Sequence, residues 1–252
     1  ICIISVLVII KLLIKKLKIP TRMAYLISIG STVCGTTAIM ATAPVIKANK
    51  NEVSYAVANI TLFGILSMLL YPYFANFYFE GNSLFAGLFL GTAIHETSQV
   101  AAAGLIYDQQ FNSPETLNIA TVTKLIRNTF LIVMIPLFAF LYNRGLVKEK
   151  NYSIINIFPY FVLGFVGMII FRNIGDQIFT TYNNDIWVET INFIKFFSKV
   201  FLTMAMAAIG LSTDLKDIKS MGYKPFAVGF IAMLTVGIVC ILTIEIYLKM
   251  FI

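Results

Sequence analysis

Charge is the scarcest commodity in this 252-residue chain. Asp, Glu, Lys and Arg together make up 12% of it, against 59% for hydrophobic residues, and the mean hydropathy is +0.86. A soluble domain carries about 25% charge, so an ordinary water-soluble fold is excluded. There is one histidine and one tryptophan. A single histidine rules out the His-Glu-x-x-His zinc motif and any histidine-rich metal site, and metal and cofactor are both read as none. The three cysteines, Cys2, Cys34 and Cys240, are odd in number and lie in apolar runs. They form neither a disulfide framework nor a metal-ligand spacing, and read as small buried hydrophobes. No charged leader or cleavage region precedes the first apolar run, which begins at Ile1, so the chain reads as truncated at its N-terminus.

What remains is a succession of apolar runs near twenty residues, the length that crosses a bilayer. The fold expected is all-α, a polytopic membrane helix bundle of about eight spans, forming a single integral membrane domain over residues 1–252. The spans fall near residues 1–14, 23–46, 53–74, 84–107, 119–142, 154–171, 193–211 and 225–248. Pro72 marks the end of the third. The polar stretch 172–189 reads as an interfacial helix or an ordered loop. The formal charge of +7 does not indicate nucleic acid, because the basic residues occupy short links and no aromatic residues interleave with them. If every span crosses once, Lys15–Arg22, Arg144–Lys150 and Lys216–Lys224 share one side, which should be cytoplasmic. Lys47 and Lys50 then fall on the opposite side, and the link 76–83 on the basic one.

Polarity concentrates in the fourth span. Ile94-His95-Glu96-Thr97-Ser98-Gln99-Val100 places the single histidine, a carboxylate, an amide and two hydroxyls where apolar residues are expected. Ionisable groups inside a membrane are costly and mark sites or water-filled paths. A second small, hydroxyl-rich break, Gly30-Ser31-Thr32-Val33-Cys34-Gly35-Thr36-Thr37, echoes it in the second span, and each is followed by a span that ends in proline, Pro72 or Pro136. Two interrupted hydrophobic segments at corresponding positions point to a transporter site built from broken helices. Tight helix packing is the competing explanation, since small residues are enriched at membrane helix contacts. Lys124 and Arg127 lie on one face of the fifth span and are expected to pair with Glu96. The surplus cation, with free N–H groups at helix breaks near Gly35 and Gly91, would then attract an anion. The candidate substrate-binding residues are Cys34, Gly35, Thr36, Thr37, His95, Glu96, Thr97, Ser98, Gln99, Lys124 and Arg127.

Three stretches carry a family resemblance: Cys34–Ile39 with Ala43–Ile46, Ile94–Gly104, and Ala205–Leu211, supported by Lys124–Arg127 and Phe161–Phe165. With these residues the chain resembles the YeiH-type family of bacterial inner-membrane proteins, described as sulfate exporters. The resemblance covers essentially the whole chain. Thr97-Ser98 stands where Val-Ala is more usual. The resemblance implies a multi-pass protein of the inner membrane that exports a small inorganic or organic anion, with sulfate as the named cargo and the lipid bilayer as partner. An intramembrane enzyme using Glu96 and His95 as acid and base, and a membrane scaffold without transport, stay open as alternatives, as does oligomerisation.

Overall fold

A computed structural model describes residues 2–17, 20–131, 133–134, 137, 160–182, 184–212 and 223–251. Among these residues the regular structure is all helical: α1 (Cys2–Leu17), α2 (Thr21–Thr32), α3 (Gly35–Thr42), α4 (Lys50–Tyr78), α5 (Ser83–Ala93), α6 (Thr97–Phe111), α7 (Pro114–Thr129), α8 (Tyr160–Tyr182), α9 (Asn184–Ser212) and α10 (Tyr223–Phe251). The all-α expectation holds. Two helices, Lys50–Tyr78 and Tyr223–Met250, are long and apolar enough to cross a membrane. The basic link 144–150, Pro136, the link 213–222 and the start of the sixth span lie outside the described residues.

The helix ends follow from local chemistry. Asn49 and Glu52 form a reciprocal capping box at the start of α4, which satisfies two N–H groups that the helix itself cannot. Asn82 accepts from Leu84 N and Phe85 N at the start of α5. Pro114 opens α7 where its missing N–H costs nothing. Asn112 ends α6 in the left-handed conformation, with φ 53°. Pro72 does not end its helix as expected. α4 runs through it to Tyr78, because proline costs little inside a membrane helix whose neighbours can re-satisfy the freed carbonyl.

α4 is the central column, about 43 Å long at 1.5 Å per residue. α10 runs parallel beside it: Asn59 Nδ2 donates to Pro225 O at 2.9 Å in the first half of α4, Tyr71 OH to Met233 O at 3.3 Å further along, and Tyr78 OH bonds Glu245 at the far end. Glu245 is therefore the partner of a tyrosine.

The second and fourth spans do not cross. Gly30 on α2 lies against Ile39 on α3, although a continuous helix would hold these residues about 13 Å apart. Ser83 at the start of α5 bonds Ser113, just past the end of α6, at 2.8 Å; a continuous helix would separate them by about 45 Å. Each apolar run therefore folds back on itself as a hairpin of two half-length helices. The α2–α3 hairpin opens toward the first end of α4, which its C-terminal turn at residues 43–48 joins directly. The α5–α6 hairpin opens toward the far end, where Tyr107 OH donates to Asn76 Oδ1 at 3.2 Å. Both tips reach the middle of α4, where Ile60 abuts Gly30 and Thr61 O accepts from Gln99 Nε2 at 3.3 Å.

This reverses two expected placements. Because neither hairpin crosses, Lys47 and Lys50 share an end with Arg22 and Lys224, and the link 76–83 with Glu80 moves to the end that holds Asp108, Glu115 and Glu245. The result separates charge largely by sign, with Glu52 the exception on the basic end and Lys249 on the acidic end. The stretch 172–189 is helical on both sides of residue 183. Its clasp is Trp187, stacked on Phe179 at 5.2 Å, with Nε1 donating to Asp176 Oδ1 at 2.7 Å.

Candidate functional site

The two hairpin tips meet. Each break leaves one helix ending and another beginning at the same depth, so four helix ends surround one point: the C-termini of α2 and α5, and the N-termini of α3 and α6. Helix C-termini carry carbonyls without intrahelical partners, and N-termini carry spare N–H groups. In water these would be hydrated. Here Ser31, Thr32, His95, Glu96 and Lys124 are at most 5% exposed, so protein groups must satisfy them.

At the C-terminal ends, Lys124 and Arg127 do this. Lys124 Nζ donates to Val33 O and Ile94 O, each at 2.9 Å, and to His95 O. Three acceptors use all three N–H groups of an ammonium. The Arg127 guanidinium donates from Nε to Thr32 O at 3.0 Å, from Nη2 to Ser31 O and Thr32 O at 2.8 Å, and from Nη1 to Thr92 O. Each cation thus joins the end of α2 to the end of α5, where the helix dipole is negative. α7 delivers both because positions 124 and 127 share one helix face.

The expected pairing of Glu96 with these cations is not found. Among the described residues the ion pair within 4 Å is Arg172 with Asp176, at 2.8 Å. Glu96 Oε1 instead accepts from Thr36 N at 2.9 Å and from Thr36 Oγ1. The carboxylate caps α3, the helix of the other hairpin, and leaves the start of its own α6 without a side-chain cap. The reason is geometric: the cations are drawn to six carbonyls on one side of the junction, and the carboxylate to free N–H groups on the other. Nor is the second break at Gly91. Gly91 lies within α5, against Ala120 O and Thr123, and the spare N–H groups belong to Thr97, Ser98 and Gln99 at the start of α6.

Gly35 shows how closely the tips approach. Its φ is +47°, and a Cβ there would meet the Glu96 side chain at 2.5–3.2 Å. A Cβ on Gly64 of α4 would in the same way run into the Gln99 carboxamide.

Comparison with known proteins fixes the family. A family model described as "Conserved hypothetical protein 698" matches residues 1–229. A UPF0324 membrane protein of Fusobacterium nucleatum is 36% identical over 242 residues, 93% of this chain and 69% of its own. The chain belongs to the UPF0324 membrane protein family. A UPF0324 protein of Streptococcus pyogenes is 36% identical over 229 residues, covering 89% of this chain and 65% of its own. One from Clostridium tetani is 32% identical over 243 residues, at 90% and 66%. The chain spans about two thirds of the length of these relatives. No solved structure matches it. These UPF0324 names state that the relatives are membrane proteins, and specify no cargo.

Of the candidate residues in this UPF0324 chain, most converge. Cys34 Sγ lies 3.8 Å from Thr97 Oγ1, and Thr36 and Glu96 are bonded across the tips. Gln99 is 4% exposed, with its Nε2 on Thr61 O and its Oε1 unpartnered. His95 is fully buried at the break, and neither ring nitrogen has a protein partner. Ser98 is half-buried at the start of α6, whereas Thr37 is exposed. Two participants escaped the sequence reading. Asn128 donates from Nδ2 to Thr97 Oγ1 at 3.2 Å; its position four residues after Lys124 and next to Arg127 was the available clue. Thr61 contributes a backbone carbonyl, for which a sequence offers none.

Proposed function

We propose that this protein is a secondary transporter that moves a small anion across the bacterial cell membrane, and that the anion binds where α3 and α6 begin. One observation carries the reading: two half-helix N-termini converge at mid-depth, one from each of two oppositely directed hairpins. Such N-termini favour anions through spare N–H groups and the positive dipole end; Glu96 already takes the Thr36 N–H at the start of α3, which leaves the uncapped start of α6 to supply N–H groups to an anion, and broken helices of this kind form the substrate sites of many carriers. Charge supports it. With roughly half a charge at each of the four helix ends, the buried Lys124, Arg127 and Glu96 leave the junction positive by about one unit. Thr97, Ser98 and Gln99 are the neutral donors best placed to replace an anion's water shell. His95 adjoins them with both ring nitrogens unpartnered. The family resemblance makes sulfate the first candidate cargo. The basic end of the molecule, with Arg22, Lys47, Lys50 and Lys224, is assigned to the cytoplasm.

A carrier fits better than an enzyme, because Glu96 is committed to the N–H and hydroxyl of Thr36 and is not placed as an acid or base toward a reacting group. The test is flux. Full-length protein in proteoliposomes should take up labelled sulfate, sulfite or a small carboxylate. A Thr97→Val/Gln99→Leu variant that still folds should lose about tenfold or more, because two neutral hydrogen bonds are together worth roughly 1–3 kcal/mol. Turnover of a substrate without flux would overturn the carrier reading in favour of an enzyme.

A further inference from the structure

We propose that Lys124 and Arg127 are built-in counter-cations, occupying the carbonyl sites at which half-helix carriers hold a coupling sodium ion, and that anion movement in this protein is therefore independent of sodium. In such carriers the anionic group of the substrate sits at half-helix N-termini, while unwound carbonyls and half-helix C-terminal ends coordinate the coupling ion. The same division is present here. Of the carbonyls freed by the two breaks, those of Ser31, Thr32 and Val33 on one hairpin and Thr92, Ile94 and His95 on the other accept from Lys124 or Arg127. A sodium ion at these oxygens would have to displace an ammonium or a guanidinium that is tethered to α7 and nearly or wholly buried.

The tether has a functional consequence. A coupling ion arrives and leaves with each cycle, so the negative helix ends are alternately compensated and bare. A cation fixed on α7 compensates them at every stage and holds the two tips together whether or not an anion is bound. The anion then meets a site already charged to receive it, and no second ion is needed to complete that site. The transport clause of this proposal rests on the carrier reading above; the cation clause does not.

The experiment has two readouts, so that the two can fail separately. Thermal midpoints of full-length protein and of Lys124→Ala are measured in choline, sodium and propylammonium chlorides, with tetramethylammonium as a control that lacks N–H donors. The parent should show the same midpoint in sodium and in choline. Lys124→Ala should melt several degrees lower, and propylammonium, which restores the missing alkyl-ammonium group, should recover part of the loss where tetramethylammonium does not. A saturable rise of the parent's midpoint with sodium overturns the proposal, and so does a folded Lys124→Ala indifferent to propylammonium. If Lys124→Ala does not fold, the sodium response of the parent decides. In proteoliposomes, anion flux should be equal with sodium or choline outside; flux that requires sodium overturns the proposal. If no anion moves under any condition, the carrier reading falls, and the midpoints still decide whether the two cations fill the carbonyl site.

Discussion

Thr36 and Glu96 are in direct side-chain contact across the two tips. The Glu96 carboxylate accepts both the backbone N–H and the hydroxyl of Thr36, so the two side chains should not act independently. In a double-mutant cycle of Thr36→Val and Glu96→Gln, read from thermal or denaturant unfolding, the coupling should be about 0.5–3 kcal/mol, the range for residues in direct contact. Additive losses would contradict the contact. At Gly35 the backbone is left-handed, φ +47°, and a non-glycine residue there costs roughly 1–2 kcal/mol. Gly35→Ala adds the clash with Glu96, so its loss should exceed that figure and should shrink in a Glu96→Ala background; an unchanged midpoint would count against the conformation. At this scale the sequence was informative about who takes part. A histidine, a carboxylate and two cations in apolar runs announce themselves by cost. It was misleading about who pairs with whom, because six of the acceptors are backbone carbonyls that exist as free groups only once the helices break.

The elements that matter are half-helices, and they are harder to read than full ones. Leu84–Tyr107 has the length of a single crossing, and nothing in its apolar pattern distinguishes one long helix from two short ones lying side by side. Gly91 suggested the break, yet it falls three residues later, at Ile94, whose backbone is extended (φ −86°, ψ 140°). What holds the break open is supplied by α7, far along the chain, through Lys124. The hairpin makes a direct prediction. On a background without Cys2, Cys34 and Cys240, the pair Ser83→Cys and Ser113→Cys should form a disulfide under mild oxidation, because the two hydroxyl oxygens lie 2.8 Å apart and disulfides need Cα atoms within about 7 Å. A chain that crossed the membrane between these residues would form none.

Among the described residues, the two hairpins and the helices that follow them form an opposed pair: α2–α3 with α4 from one end, α5–α6 with α7 from the other. The sequence echo between Gly30–Ile39 and Gly91–Val100 is the trace of this arrangement, legible as similarity but not as direction. Direction is testable through labelling. Single cysteines at Lys47 and Lys224 should react with impermeant thiol reagents from one and the same side of the membrane, and one at Glu80 from the other; reactivity of Lys47 and Glu80 from a common side would restore neither the straight-through topology nor this one. The central claim is narrower than topology: an anion binds where α3 and α6 begin. Its most direct test is calorimetric titration of folded, full-length protein with sulfate, sulfite and small carboxylates, beside the Thr97→Val/Gln99→Leu variant. The account predicts saturable binding of at least one anion, weakened about tenfold or more in the variant. Binding of none of them, or equal binding by parent and variant, would contradict it.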